Sequence, residues 1–99
     1  RSYTNWPPAE PAAMDIQFTP TAWAEFQELR KLDRKLFSRA LDLIEAVTRE
    51  PFAGIGKPEP LRHQLAGCWS RRINDRHRLV YRVNGRTLVI LSCIYHYGE

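Results

Sequence analysis

His77-Arg78-Leu79-Val80-Tyr81-Arg82-Val83-Asn84-Gly85-Arg86-Thr87-Leu88-Val89-Ile90-Leu91 is the stretch that decides the fold. β-Branched and aromatic residues stand on both sides of Asn84-Gly85, and Asn-Gly is the signal of a two-residue type I′ turn, whose central positions both take positive φ. Two antiparallel strands are expected, over residues 77–83 and 87–97. In the first, Arg78, Val80 and Arg82 alternate with Leu79, Tyr81 and Val83, so one face is expected to be cationic. The second runs Leu88-Val89-Ile90-Leu91, apolar on both faces, as a strand in the middle of a sheet does. Simple alternation puts His96 on the face of Leu88, Ile90, Ser92 and Ile94, and Tyr97 on the face of Val89, Leu91, Cys93 and Tyr95.

Working back from the hairpin, Asn74-Asp75-Arg76 reads as a second turn, leading to strands over residues 69–73 and 61–65. Arg71 and Arg72 point to opposite faces, so only one of them can lie beside Arg78. Gly54, Gly56, Pro58 and Pro60 mark the loop before these strands. Further back, Leu36, Phe37, Ala40, Leu41, Ile44 and Val47 recur at helical spacing behind a cap at Asp33, and Pro51 stops the run. An earlier helix over residues 20–31 starts at Thr19-Pro20 and carries Ala22, Trp23, Phe26 and Leu29 as its apolar stripe. Residues 15–18 read as a short first strand. The expected fold is α+β: two N-terminal helices packed on one face of a mainly antiparallel, twisted sheet, with the other face and the C-terminal end forming a cleft. One domain spans residues 14–99. Residues 1–13 show no periodicity and read as an extended or disordered leader: an upstream start, a remnant foreign to the native chain, or a partner-binding tail.

Charge is divided unevenly along this 99-residue chain of net charge +4. Residues 51–99 carry eight Lys or Arg against three acids, whereas residues 14–50 carry six against seven. Positive charge gathered in the sheet half points to a polyanionic partner. No run is long and apolar enough to cross a bilayer and the N-terminus lacks the core of a secretion signal, so a cytoplasmic location is expected. Cys68 and Cys93 have no metal-type spacing and read as reduced structural thiols. Phosphate-loop, zinc-helix, paired Cys-x-x-Cys and serine-elbow motifs are absent, so metal, nucleotide-cofactor and serine-hydrolase readings have no support.

Four residues could do chemistry. Glu59 lies between Pro58 and Pro60, which fix their own φ and push Glu59 and Lys57 to extended conformations. Such a carboxylate reads either as a surface loop acid or as a general base held in place at little ordering cost. His96 reads either as a fraying terminal residue or as a proton donor near neutral pH, and Tyr97 beside it offers a ring for stacking. Arg78 belongs either to a solvated strand face or to a guanidinium cluster that grips phosphate.

The order of these segments carries more than each alone. Pro51-Phe52-Ala53-Gly54-Ile55-Gly56-Lys57-Pro58-Glu59-Pro60-Leu61-Arg62-His63-Gln64-Leu65-Ala66-Gly67-Cys68-Trp69-Ser70-Arg71-Arg72-Ile73, then His77-Arg78-Leu79-Val80-Tyr81, then Tyr95-His96-Tyr97, closely resembles the YoeB toxins of the RelE/ParE superfamily. The resemblance implies a fold like microbial ribonucleases and a ribosome-dependent messenger RNA endonuclease, the toxin half of a type II toxin-antitoxin pair. Glu59, Arg78, His96 and Tyr97 then match catalytic positions, and Lys57, Arg62 and Arg72 match basic residues that bind RNA phosphate. The resemblance further implies metal-independent chemistry without a cofactor, a homodimer, and silencing by a YefM-like antitoxin. Two other readings stay open: a ParE-like toxin that acts on gyrase by protein contact, and a basic RNA-binding module without catalysis.

Overall fold

The structure, a computed structural model, describes residues 14–95. Strand β1 (Asp15–Phe18) leads into helices α1 (Pro20–Leu32) and α2 (Arg34–Arg49), followed by β2 (Glu59–Pro60), a single 3₁₀ turn at His63–Leu65, β3 (Trp69–Arg72), β4 (Arg78–Asn84) and β5 (Thr87–Tyr95). The five strands form one sheet in the order β1-β5-β4-β3-β2. β1 runs parallel to β5 and every other pair is antiparallel. The fold is thus the α+β architecture expected, with β5 inside the sheet.

Local chemistry explains both helices. The Thr19 hydroxyl accepts from the Ala22 N–H at 3.1 Å and Pro20 occupies the first turn. Asp33 does two things: its N–H donates to the Leu29 carbonyl, ending α1, and its carboxylate accepts from the Lys35 and Leu36 N–H groups, starting α2. One residue thereby joins the helices and reverses the chain over the sheet. Their apolar stripes, including Ala22, Phe26, Leu29, Leu43, Ile44 and Val47, bury against Leu79, Tyr81, Leu88, Ile90 and Cys93. Phe18, Phe26 and Phe37 extend this core as a run of ring contacts at 4.7–5.0 Å.

Five expectations need correction. The hairpin turn is not type I′ over Asn84-Gly85: Asn84 ends β4 paired with Thr87, and the two-residue loop is Gly85-Arg86 with Gly85 alone at positive φ, 60°, as a type II′ turn requires. Residues 61–65 are not a strand, because His63 takes φ 59° and the chain closes into a 3₁₀ turn; the pairing strand is Glu59–Pro60, two residues earlier. Lys57 is not extended either: its φ of 53° turns the chain from the loop into β2. The expected cationic face of β4 is interrupted, since Arg78 and Val80 are buried and Val80 joins Leu61 and Cys68 in a small second core. Finally, alternation along β5 breaks. Between the pairs Val80–Ser92 and Arg78–Tyr95, β4 has one residue, Leu79, and β5 has two, Cys93 and Ile94. Both pack toward the core as a β-bulge directs them, so the shared face drawn from Leu88 to His96 fails at Ser92. Residues 1–13, His96 and Tyr97 lie outside the described residues.

Candidate active site

The loop that leads to Glu59 is clasped by a buried cation. Arg71 is fully buried. Its Nη1 donates to the Ile55 carbonyl at 3.1 Å, its Nη2 to the carbonyls of Ala53 at 2.7 Å and of Glu50, and its Nε to the Tyr81 hydroxyl at 3.2 Å. Tyr81 in turn donates to the Pro51 carbonyl at 2.6 Å. Burial raises the Tyr81 pKa, and the hydrogen bond and charge of Arg71 oppose the shift. The loop over residues 50–56 is therefore tied onto β3 and β4 through its own carbonyls, which is what a planar, five-donor guanidinium can do and a lysine cannot. Phe52 adds a ring contact on Trp69 at 4.8 Å. Gly56 fits where no side chain does: a Cβ there would meet Leu43 Cδ2 at 2.7 Å, and its carbonyl accepts from the Arg72 N–H at 2.7 Å.

From that anchored loop the chain turns at Lys57 and lays Glu59 on the edge of the sheet. Glu59 is opposite Ser70, which is opposite Val80; Arg72 is opposite Arg78, which is opposite Tyr95. Directly paired residues share a face, as do residues two apart on one strand. Glu59, Arg72 and Arg78 consequently stand on the face away from the helices. Two strand spacings and two residues of rise put the Cα atoms of Glu59 and Arg78 about 12 Å apart.

Arg78 is the fixed member. Its Nη1 donates to the carbonyl of Asn74 at 2.9 Å and reaches those of His77 and Asp75 at 3.3 and 3.4 Å. The Asn74 side chain holds the same turn by accepting from the Arg76 and His77 N–H groups. Arg72, by contrast, is exposed and can move to a ligand. Under Glu59 lies a cavity of about 480 Å³, lined by residues 59–65, among them Arg62 and His63. Glu59, Arg72 and Arg78 thus share one sheet face, and Arg62 lines the same cavity as Glu59, while Lys57 is exposed two residues before Glu59. His96 begins immediately after the residue paired with Arg78.

Three contributors were not legible beforehand. Arg71 looked equivalent to Arg72 until register assigned it to the interior. His63 read as an ordinary strand or turn residue. Glu25 of α1 accepts from the Ser92 hydroxyl at 2.9 Å and the Cys93 N–H at 2.8 Å, holding the bulge just before the chain reaches Arg78. Cys93 is buried there and, by burial first and the nearby Glu25 charge second, its thiol is pushed up to about 12. Both cysteines are free and buried. They belong to separate apolar clusters. Among the described residues no three His, Cys, Asp or Glu are grouped as a metal site, and no helix is long and apolar enough to cross a membrane.

Known proteins share this fold. The YoeB dimer of Staphylococcus aureus superposes with a TM-score of 0.81 at 40% identity, covering 86% of this chain and 99% of that one. The toxin chain of the S. aureus YoeB-YefM heterotetramer gives 0.78 at 40% identity, covering 85% and 98%. The fold is that of the RelE/YoeB-type toxins. The toxin YoeB of Synechocystis is 51% identical over 84 residues, 85% of this chain and 98% of that protein. The sequence pattern of the YoeB-like toxins of bacterial type II toxin-antitoxin systems matches residues 18–97, and the chain belongs to that family.

Proposed function

We propose that this toxin cuts messenger RNA on the ribosome, by general acid-base chemistry that uses the RNA's own 2′-hydroxyl as nucleophile. The observation that supports the reading is that Glu59, Arg72 and Arg78 share one sheet face and that Glu59 lines an open cleft. Glu59 takes the 2′-hydroxyl proton, the 2′-oxygen attacks the adjacent phosphorus, and the 5′-oxygen leaves with a proton from His96. The products are a 2′,3′-cyclic phosphate and a 5′-hydroxyl. Because Arg78 is already held by backbone carbonyls, it meets the charge of the five-coordinate phosphorus without reorganising, the condition under which electrostatic stabilisation is strongest. Arg72 adds a second cation, Lys57 and Arg62 bind flanking phosphates, and Tyr97 supports a base. The nucleophile arrives with the substrate, so the scheme calls on neither metal nor cofactor.

A ribosomal substrate places the protein in the cytoplasm. The S. aureus relatives are described as a dimer and as a complex with YefM; on that likeness we take this chain to self-associate and to be silenced by a YefM-type antitoxin. The test is single-turnover cleavage of a message on translating ribosomes by the parent, Glu59→Ala and His96→Ala. Each substitution is expected to lower the rate by on the order of 10² to 10⁴, with cyclic phosphate at the parent's product ends. Parental rates in both variants defeat the assigned roles. Loss of gyrase supercoiling without RNA cleavage transfers the protein to the gyrase-directed reading.

A further inference from the structure

His63 stands at a backbone position where its side chain is a liability to folding. Its φ of 59° lies in the left-handed region, which is unfavourable for a residue with a Cβ and which glycine adopts readily. The conformation itself is needed: the turn is closed by the Leu65 N–H on the Arg62 carbonyl at 3.1 Å, the Ala66 N–H on that of His63 at 3.0 Å and the Cys68 N–H on that of Leu65 at 2.9 Å. The imidazole contributes nothing visible to that closure. It is exposed, no hydrogen bond to another described residue holds it, and it faces the 480 Å³ cavity that Glu59 also lines. Lys57, the other non-glycine residue at positive φ among those described, is likewise exposed and lies two residues before Glu59. Strain is thus retained on both sides of one carboxylate, at two residues whose side chains suit RNA. Strained residues gather where a side chain is kept for what it touches.

We propose that His63 is a substrate-contacting residue of this cleft: its imidazole packs on, or hydrogen-bonds to, the unpaired RNA base next to the linkage that Glu59 attacks, and so helps choose the cleavage site. The proposal rests on the endonuclease reading above. An imidazole face can stack on any base and its ring nitrogens can pair with a base edge, the two devices by which single-stranded RNA is read.

Because backbone and side chain pull in opposite directions here, stability and activity separate. The full chain would be compared with His63→Asn and His63→Gly in urea denaturation, in binding to a labelled single-stranded RNA that is 2′-O-methylated at each position and so cannot be cleaved, and in cleavage mapping on translating ribosomes. The expected result is unfolding midpoints at or above the parent's, RNA binding weaker by on the order of 10-fold, the size of one base contact, and an altered distribution of cut sites. Variants that bind and cut like the parent overturn the proposal, and so do variants that lose binding only in proportion to lost folding. Glu59→Gln serves as the separate control. If it cleaves like the parent while the His63 variants bind normally, both readings fail; if it is inactive while the His63 variants are unchanged in binding and cut sites, only the role of His63 fails.

Discussion

Arg71 and Arg72 are adjacent, chemically identical and opposite in use. Arg71 is enclosed and satisfies three loop carbonyls and a tyrosine hydroxyl, whereas Arg72 is exposed on the face of Glu59. Arg71→Met leaves buried acceptors without a donor, and its unfolding free energy should fall by on the order of 3 kcal/mol or more, read as a lower urea midpoint. Arg72→Met should shift stability by no more than about 0.5 kcal/mol while slowing RNA cleavage. Gly56→Ala meets both a φ of 86° and Leu43 at 2.7 Å, and a loss of about 1–3 kcal/mol is expected in the same assay. Nothing in a linear reading separates Arg71 from Arg72. Their parity was visible, but which face was interior depended on the register with Leu79 and Arg78.

Elements defined by neighbouring residues were legible, and those defined by distant ones were not. Thr19 and Asp33 act within three residues of themselves, and the tight turn at Gly85 follows from the φ freedom of glycine, so both helices and the existence of the hairpin were readable, though the turn sits one residue later than Asn84-Gly85 implied. The β5 bulge depends on Glu25, which is 67 positions from Ser92 in sequence, and no local pattern announces it. The same is true of residues 61–65, whose strand-like composition yields to a turn at His63. Cys93 inside the bulge gives a pH test. Its thiol has a pKa of about 12 in the folded chain against an ordinary 9.0, so the unfolded chain loses the proton first. The stability this provides is complete below pH 9.0 and drains away as pH rises toward about 12, by at most about 4 kcal/mol. Tyr81, also raised from 10.0, adds a loss that begins one unit later. In alkaline urea titrations Cys93→Ala should flatten the decline between pH 9 and 10; a decline as steep as the parent's would show that another group carries it.

At the scale of the molecule, the sheet has two faces with separate tasks. One is apolar and lies under the helices; the other carries Glu59, Arg72 and Arg78, with Arg62 lining the same cavity as Glu59. The charge division between the two halves of the chain was readable from composition, and the candidate site from a family likeness that names residues without explaining their approach. The approach comes from order β4-β3-β2 and from the Arg71 clasp, both of which need the folded chain. RNA association by such a face should weaken steeply with salt, a log-log slope falling by about one on removal of each phosphate-binding cation; Arg62→Met and Lys57→Met measure this by binding at several salt concentrations. The most direct measurement of the central claim is primer extension on a message under translation, with purified parent and Glu59→Gln. New 5′ ends are expected with the parent, and a reduction by on the order of 100-fold or more with the variant. Equal cleavage by the two would contradict the assignment of this sheet face as the catalytic surface.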